Sequence, residues 1–364
     1  MSGTITGTGQ SSAGWLSSLI SNAANVRQQL QTLTNQESTG LISTTYAGLG
    51  SGAAVSLDLS PEIANLQTWQ TNINQATGPM QVTQTAMTQL QSIAQSFYSQ
   101  LQTIDGTQSS SVDTIAASAR SALQQVAGLL DTTDGNTYVF GGADTTNPPV
   151  PNPDQILSSG FATQIAGEVG NLATNGAAVT AAATLATAQS NATGTSPFSL
   201  YMSQAAPALQ ADTPVVQVGQ GQTVQVGLLA SANSSAVTST GTSTTGSYMR
   251  DLMRALATIG SMSSAQFSTS GFQGLVQDTS ASLQGVGTAM ANDAGVLGNT
   301  QTALTATQTQ LSDAATALTT QVGAAQNVDL AQTLSDLPLV QTQMQASYQV
   351  IAGMSALSLV KFLP

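Results

Sequence analysis

From Leu66 to Ile104 apolar side chains recur in alternating steps of three and four: Leu66, Trp69, Ile73, Ala76, Met80, then Thr83, then Met87, Leu90, Ala94, Phe97, Leu101 and Ile104. Only Thr83 interrupts the series. Residues three and four apart share one helix face, and a period of seven sustained this long makes that face a seam for other helices. A helix over the whole span would be about 58 Å long at 1.5 Å per residue. The pattern therefore predicts a rod that packs against rods. Gly78 and Pro79 lie inside the seam, and a proline at mid-helix removes a hydrogen bond and bends or breaks the axis. The apolar phase passes through both unchanged, which predicts one bent helix.

Flanking signals fill out the N-terminal part. Residues 1–12 are Gly, Ser and Thr with little apolar content and read as a flexible tail. Leu16, Leu19, Ala23, Val26, Leu30 and Leu33 then alternate by three and four, giving a first helix that ends before Gly40. The stretch 41–56, with Gly48, Gly50 and Gly52, reads as a loop, and Ser60, Pro61 and Glu62 as the start of the long helix. Ile115, Ala119, Leu123, Val126 and Leu130 mark a third helix, with Asp113 as its N-cap and a stop near Asp134 and Gly135.

Composition changes in the middle. Thr137 to Phe140 is β-prone, Gly141 and Gly142 punctuate it, and Pro148, Pro149, Pro151 and Pro153 forbid helix locally. Residues 155–245 are Ala, Thr, Ser and Gly with weak periodicity. Within them Val216 and Val218, then Val224 and Val226, alternate around the turn at Gly219 to Gly221, which predicts a β-hairpin. Helix returns at Tyr248 to Ile259 and after Phe272. Leu297, Leu304, Leu311 and Leu318 repeat by seven, as do Leu330, Leu337, Met344 and Ile351, with Leu334 and Tyr348 in the companion position and Pro338 as a kink or helix start.

These patterns predict an α+β chain in which a long-helix coiled-coil bundle is formed by N- and C-terminal arms, with a β-rich middle domain inserted at its far end. The arms are 1–140 and 246–364, and the outer insert is 141–245. A helix must bury its stripe against something, so the outermost helices would be unpaired in a monomer. Assembly is the expected remedy, and the expected interface is Leu16, Leu19, Val26, Leu30, Leu33, Leu330, Leu334, Leu337, Met344, Tyr348, Ile351, Leu357 and Leu359. A soluble four-helix bundle is the competing explanation of the stripes. Seam residues that continue to Leu357, Leu359, Phe362 and Leu363 favour assembly.

Charge is scarce. Asp, Glu, Lys and Arg make up 6% of the chain, against about 25% in ordinary globular proteins. A surface of Gln, Thr, Ser and Asn suits packing beside copies of itself, because burying an amide or hydroxyl with a partner costs less than burying a charge. Net charge is −12, and the five basic residues are Arg27, Arg120, Arg250, Arg254 and Lys361. Nucleic acid and anionic lipid both require clustered cations, so neither is an expected partner. Arg250 and Arg254 share one face of a short helix and read as exposed or structural.

Cys and His are both absent, which excludes disulfides, thiolate nucleophiles, imidazole bases and zinc sites of the usual ligand types. No cofactor is expected. Gly48, Gly50 and Ala53 fit a dinucleotide-binding pattern in spacing alone, without a convincing strand before them or an acid at the required distance after them. Asp131, Asp134 and Asp144 beside Gly141 and Gly142 form one acidic Gly-rich unit, where a calcium β-helix needs several in tandem, and read as turn residues. The sequons at Asn191 and Asn233 arise easily in a chain so rich in Ser and Thr. Met1 to Ser12 lacks the basic and apolar stretches of a signal peptide, and the run Ala177 to Ala188 is too short and Thr-rich to span a bilayer, so no cleaved signal and no membrane insertion are expected.

Three segments resemble one family. VDLAQTLSDLPLVQTQMQASYQVIAGMSALSLVKFL, Val328 to Leu363, resembles the C-terminal helix shared by bacterial flagellins and their junction proteins. QESTG, Gln36 to Gly40, is similar to that family's turn after the first helix. DGNTYVFGGADTTNPPV, Asp134 to Val150, resembles the segment that leaves the helical domain in the hook-associated protein 3 branch, the hook-filament junction proteins. The stretch TTYAGLGSGAAVSLDL departs from the flagellin pattern after the turn. The resemblance implies a structural, non-enzymatic protein of the bacterial flagellum, exported unfolded through a type III apparatus and extracellular. It implies terminal helices that are disordered in the monomer and pair into an inner tube on assembly. Implied partners are copies of itself, flagellin, a second hook-associated protein and an export chaperone. Filament flagellin is the alternative within the family; outside it stand a secreted coiled-coil adhesin or effector and, last, a glycosidase using two carboxylates.

Overall fold

A computed structural model describes residues 9–104, 109–233 and 244–360 of the chain. The fold is mostly helical, with long helices at both termini and a small strand-containing middle region. The chain divides into two compact units, one of residues 1–67 with 312–364, the other of residues 68–311.

Helix α1 spans Gly9–Thr39 and is closed by Gly40, whose φ of 70° is the left-handed conformation that ends helices cheaply. The expected tail thus becomes helix at its ninth residue, and residues 1–8 lie outside the described part. A 3-10 turn, Tyr46–Leu49, follows, and Gly50 at φ 56° leads into α2, Gly52–Gln102. The Gly48 to Ala53 stretch therefore builds a turn and a helix start, with no strand before it. α2 begins nine residues ahead of the expected Pro61 start. Pro61 and Leu57, whose carbonyl the proline leaves without its helical donor, are both exposed, so solvent can serve that carbonyl.

The seam of α2 is buried from Leu66 to Ile104 except at Trp69, which is half-buried. The helix runs unbroken through Gly78 and Pro79. Thr83 fits the buried stripe because its hydroxyl donates to the Pro79 carbonyl at 2.8 Å. In the larger unit α8, Phe272–Gln326, lies antiparallel to α2, with the Gln308 amide donating to Asn74 and the Gln102 amide to Ser280. Ile73, Ala76 and Met80 pack with Leu297 and Leu304 of α8, the first two members of the sevenfold leucine run.

α3, Ser109–Leu130, buries nine residues, among them all five of its expected stripe. Asp113 is not its N-cap. The helix starts four residues earlier, and the Asp113 carboxylate accepts from the Ser264 backbone N–H at 2.9 Å and hydroxyl at 2.6 Å. Those two hydrogen bonds hold its pKa below the usual carboxylate value. After α3, β1 (Thr133–Asp134) and β2 (Thr137–Tyr138) pair antiparallel around Gly135, at φ 59°. Phe140 follows, fully buried. Gly141 and Gly142 turn the chain where a Cβ would meet the Asp144 carbonyl at 2.5 Å or the Leu229 side chain at 2.7 Å.

The middle region then builds α4 (Gly160–Gly170), α5 (Leu172–Gln189, broken at Gly176), α6 (Ala206–Ala211) and a hairpin of β3 (Val215–Gly219) with β4 (Gln222–Gln225). The hairpin stands where the Val alternation put it, and Val216 and Val218 are its buried face. Among the described residues the strands form only these two small ladders, and the Ala-rich stretch from 160 to 189 is largely helix. Alanine is the strongest helix former and leaves too small a side chain to draw a stripe.

α7, Tyr248–Ser261, is the axis of the larger unit. Each residue from Tyr248 to Gly260 is buried, and the helix packs against α3, α4 and α5. Its two arginines are deeply buried. Arg254 donates to Ser282 and pairs with Asp278 at 3.8 Å. Arg250 lies over the Phe198 ring at 5.0 Å. Asp251 accepts from the Thr244 hydroxyl and the Thr245 N–H, which fixes the approach to the helix. Burial pushes Asp278 above the usual carboxylate value against the pull of Arg254, with Asp251 adding to the rise.

One titration carries a prediction. Asp131 accepts the Val150 N–H at 2.8 Å, yet burial pushes its carboxyl up to about 6. A carboxyl with a folded-state pKa above its unfolded one favours folding while it is protonated, and that contribution is lost as pH rises from about 4 through 6. Asp131→Asn keeps the acceptor and removes the charge. Urea unfolding at pH 8 will show a gain, held to about 1 kcal/mol because the group is only partly buried, and at pH 4 no gain. An equal shift at both pH values would contradict the assignment.

Candidate assembly interface

The smaller unit brings the terminal helices together. α9, Leu330–Val360, lies antiparallel along α1. At one end the Ile42 N–H donates to the Gln326 carbonyl at 2.7 Å and the Val328 N–H to the Gly40 carbonyl at 3.0 Å. Towards the other, Ile20, Ala23, Ala24 and Arg27 line a groove with Tyr348 and Ile351. The outermost helices, expected to be unpaired in a single chain, are therefore paired with each other. In the same unit α2 approaches α8 so closely at Gly52 that a Cβ there would stand 2.7 Å from the Ala325 carbonyl. Pro338 lies inside α9 as neither start nor stop.

The pairing covers each stripe only in part. On α1, Leu19, Val26, Leu30 and Leu33 are half-buried, and among its described side chains only Ala23 is buried, at 7% exposure. On α9, Leu337, Met344 and Ile351 are half-buried, while the buried positions are Thr333 and Val340. The covered seam is thus Thr333, Leu337, Val340, Met344, Ser347 and Ile351, in alternating steps of four and three. Leu330, Leu334 and Tyr348 fall to one side of it and are exposed, Leu334 at 52% and Tyr348 at 50%. The apolar band of α9 is wider than one neighbouring helix can cover.

Reading the heptads selected the larger side chains, Leu334 and Tyr348, as companions of the seam, and the structure gives that place to Thr333 and Val340. Further apolar residues escaped the reading altogether. Trp15 and Ile20 on α1 and Leu339 and Val350 on α9 are all exposed, Trp15 at 65%. Their signal was the total apolar content around each helix, which a search for one stripe discards. Leu16, Leu357 and Leu359 belong to the helices, but their side chains lie outside the described residues.

The chemical character of this surface is apolar and amide-rich. Among the described residues no group of three or more His, Cys, Asp or Glu is placed to hold a metal, and no helix is long and apolar enough to cross a membrane. Large apolar side chains are thus exposed on both members of a two-helix layer. α3, by contrast, closes its own stripe inside one unit.

Comparison with known families agrees with that geometry. The bacterial flagellin N-terminal helical region matches residues 13–145 and the bacterial flagellin C-terminal helical region matches residues 282–363. No curated protein matches the chain. The two matched regions contain α9, all of α1 but its first four residues, and the buried seam of α2. Spanning more than half of the sequence between them, they establish that the chain belongs to the bacterial flagellin family, whose members are structural, self-polymerising components of the extracellular flagellum.

Proposed function

We propose that this chain is a hook-associated protein of the third kind, the junction subunit that joins hook to filament by helical polymerisation of its terminal helices. The observation that carries the choice within the family is the segment Asp134 to Val150, whose resemblance is to junction proteins. Its residues build the β1–β2 ladder, the buried Phe140 and the Gly141–Gly142 turn. In this reading residues 1–140 and 246–364 act as helical arms and 141–245 as the outer insert. Leu330, Leu334 and Tyr348, with Trp15 and Ile20, meet neighbouring subunits. Flagellin and a second hook-associated protein are its neighbours in the axial series, and an export chaperone covers the arms before secretion.

Filament flagellin is the second reading, because the matched terminal regions belong to that family as a whole. Polymerisation separates the two. Purified chain seeded and unseeded at high concentration is expected to remain monomeric, and a strain lacking it is expected to carry hooks without filaments. Long filaments grown from the purified chain alone would overturn the junction assignment and make it the filament subunit.

A further inference from the structure

Outside the terminal helices, the larger unit holds a polar cavity of about 230 Å³ between the end of α5, α6 and the first turn of α7. Its walls are carboxamides and hydroxyls, among them Asn191, Gln210, Ser231 and Asn233, and one charged side chain, Arg250. Arg250 is 7% exposed. Its Nε–H donates to the Ser231 carbonyl at 3.1 Å, Nη1 to the Ala188 carbonyl at 3.0 Å and Nη2 to the Asn191 Oδ1 at 2.7 Å. All three acceptors are neutral. Among the described residues no carboxylate pairs with this guanidinium.

A buried cation with only neutral partners is an expensive arrangement. Phe198 covers one face of the guanidinium and supplies part of the compensation, leaving the edge for any further partner. A guanidinium carries five N–H donors, of which the described residues satisfy three. One N–H remains on each terminal nitrogen. Two N–H groups on adjacent nitrogens are what a carboxylate accepts from arginine in the two-pronged arrangement. Burial pulls Arg250 down to about 10, so the charge remains at neutral pH.

We propose that this cavity binds a small free carboxylate held by Arg250, with the carboxamide side chains of the wall around it. The net charge of −12 opposes indiscriminate anion uptake by the molecule as a whole, so binding depends on the local guanidinium. The amides of Gln210 and Asn233 are tied to the Asn233 and Leu229 carbonyls, which keeps the wall in place around the ligand.

The test is a titration of the full chain with sodium acetate against sodium chloride at constant ionic strength, followed by ¹H–¹⁵N NMR. Expected are saturable shifts at the Arg250 Nε–H and the Ser231 and Asn233 amides with acetate and not with chloride. Asn191→Asp places a carboxylate against the same guanidinium without removing it, and will weaken acetate binding by about tenfold or more. Gln210→Glu, which adds a carboxylate elsewhere in the wall, serves if the first variant misfolds and is expected to weaken binding as well. Overturning results are no saturable shift in the unmodified chain, the same shifts with chloride, or undiminished acetate binding in the folded variants.

Discussion

Leu334→Asp combined with Tyr348→Asp is expected to abolish filament attachment and motility while leaving the isolated chain folded. Both side chains are half-exposed on α9 and lie beside the seam that meets α1, so in a single copy the change is a surface change, within about 0.5 kcal/mol. In the assembled state the account buries both against neighbouring subunits. An unpaired carboxylate taken out of water costs about 3–5 kcal/mol at each such position, and a polymer repeats the penalty in every subunit. Electron micrographs should show bare hooks, with the purified variant giving an unchanged circular dichroism spectrum. Leu200→Asp, also at an exposed apolar position but in the larger unit, is expected to retain filaments. Filaments of normal number on the double variant would remove α9's open flank from the interface.

The second large effect falls on stability. Phe140 has no exposed surface and joins the main core with Leu229 and Ala230, and its carbonyl accepts the Ala230 N–H at 3.1 Å. Truncation removes a fully buried ring from that core and leaves a cavity in its place. Phe140→Ala should therefore cost about 3–5 kcal/mol. Urea unfolding of the purified chain measures it as a lower midpoint at unchanged slope. A loss under 1 kcal/mol would mean that the Asp134 to Val150 segment, which resembles junction proteins, does not anchor the core.

These expectations rest on elements of unequal legibility. The α2 seam was readable residue by residue because a sustained sevenfold repeat marks one helix face for burial against other helices, and the side chains from Ile73 to Ile104 that carry it are buried. The β3–β4 hairpin was readable because Val alternation and a Gly turn coincide. α4 and α5 were not. Their alanines form helix well without drawing a stripe, and α4, which buries Phe161 and Ile165, packs against both α5 and the distant α7. Helix starts at Pro61 and Asp113 were misplaced for a common reason. Each residue type favours a helix start, and each found another stable use inside a helix, Pro61 on a wet face and Asp113 as an acceptor for Ser264.

The interface itself was half legible. Heptad spacing located α1 and α9 as seam helices, but it could not say which flank of each band a partner within the same chain would take. α1 takes the Thr333, Leu337 and Val340 side, so Leu330, Leu334 and Tyr348 are left open, and Trp15, Ile20, Leu339 and Val350 lie open beyond any single stripe. An antiparallel pair of helices with so few buried side chains has little to hold it closed. The resemblance to flagellins implied disordered arms in the free subunit, whereas the single chain shows α1 and α9 as paired helices.

Hydrogen exchange, followed by mass spectrometry on the free chain and on the same chain incorporated at the hook-filament junction, tests the central claim most directly. The account predicts that amides of 9–39 and 330–360 exchange far faster than those of α3 and α7 in the free chain and become protected on incorporation. Terminal helices already as protected as α3 and α7 in an isolated copy, with no change on incorporation, would contradict it.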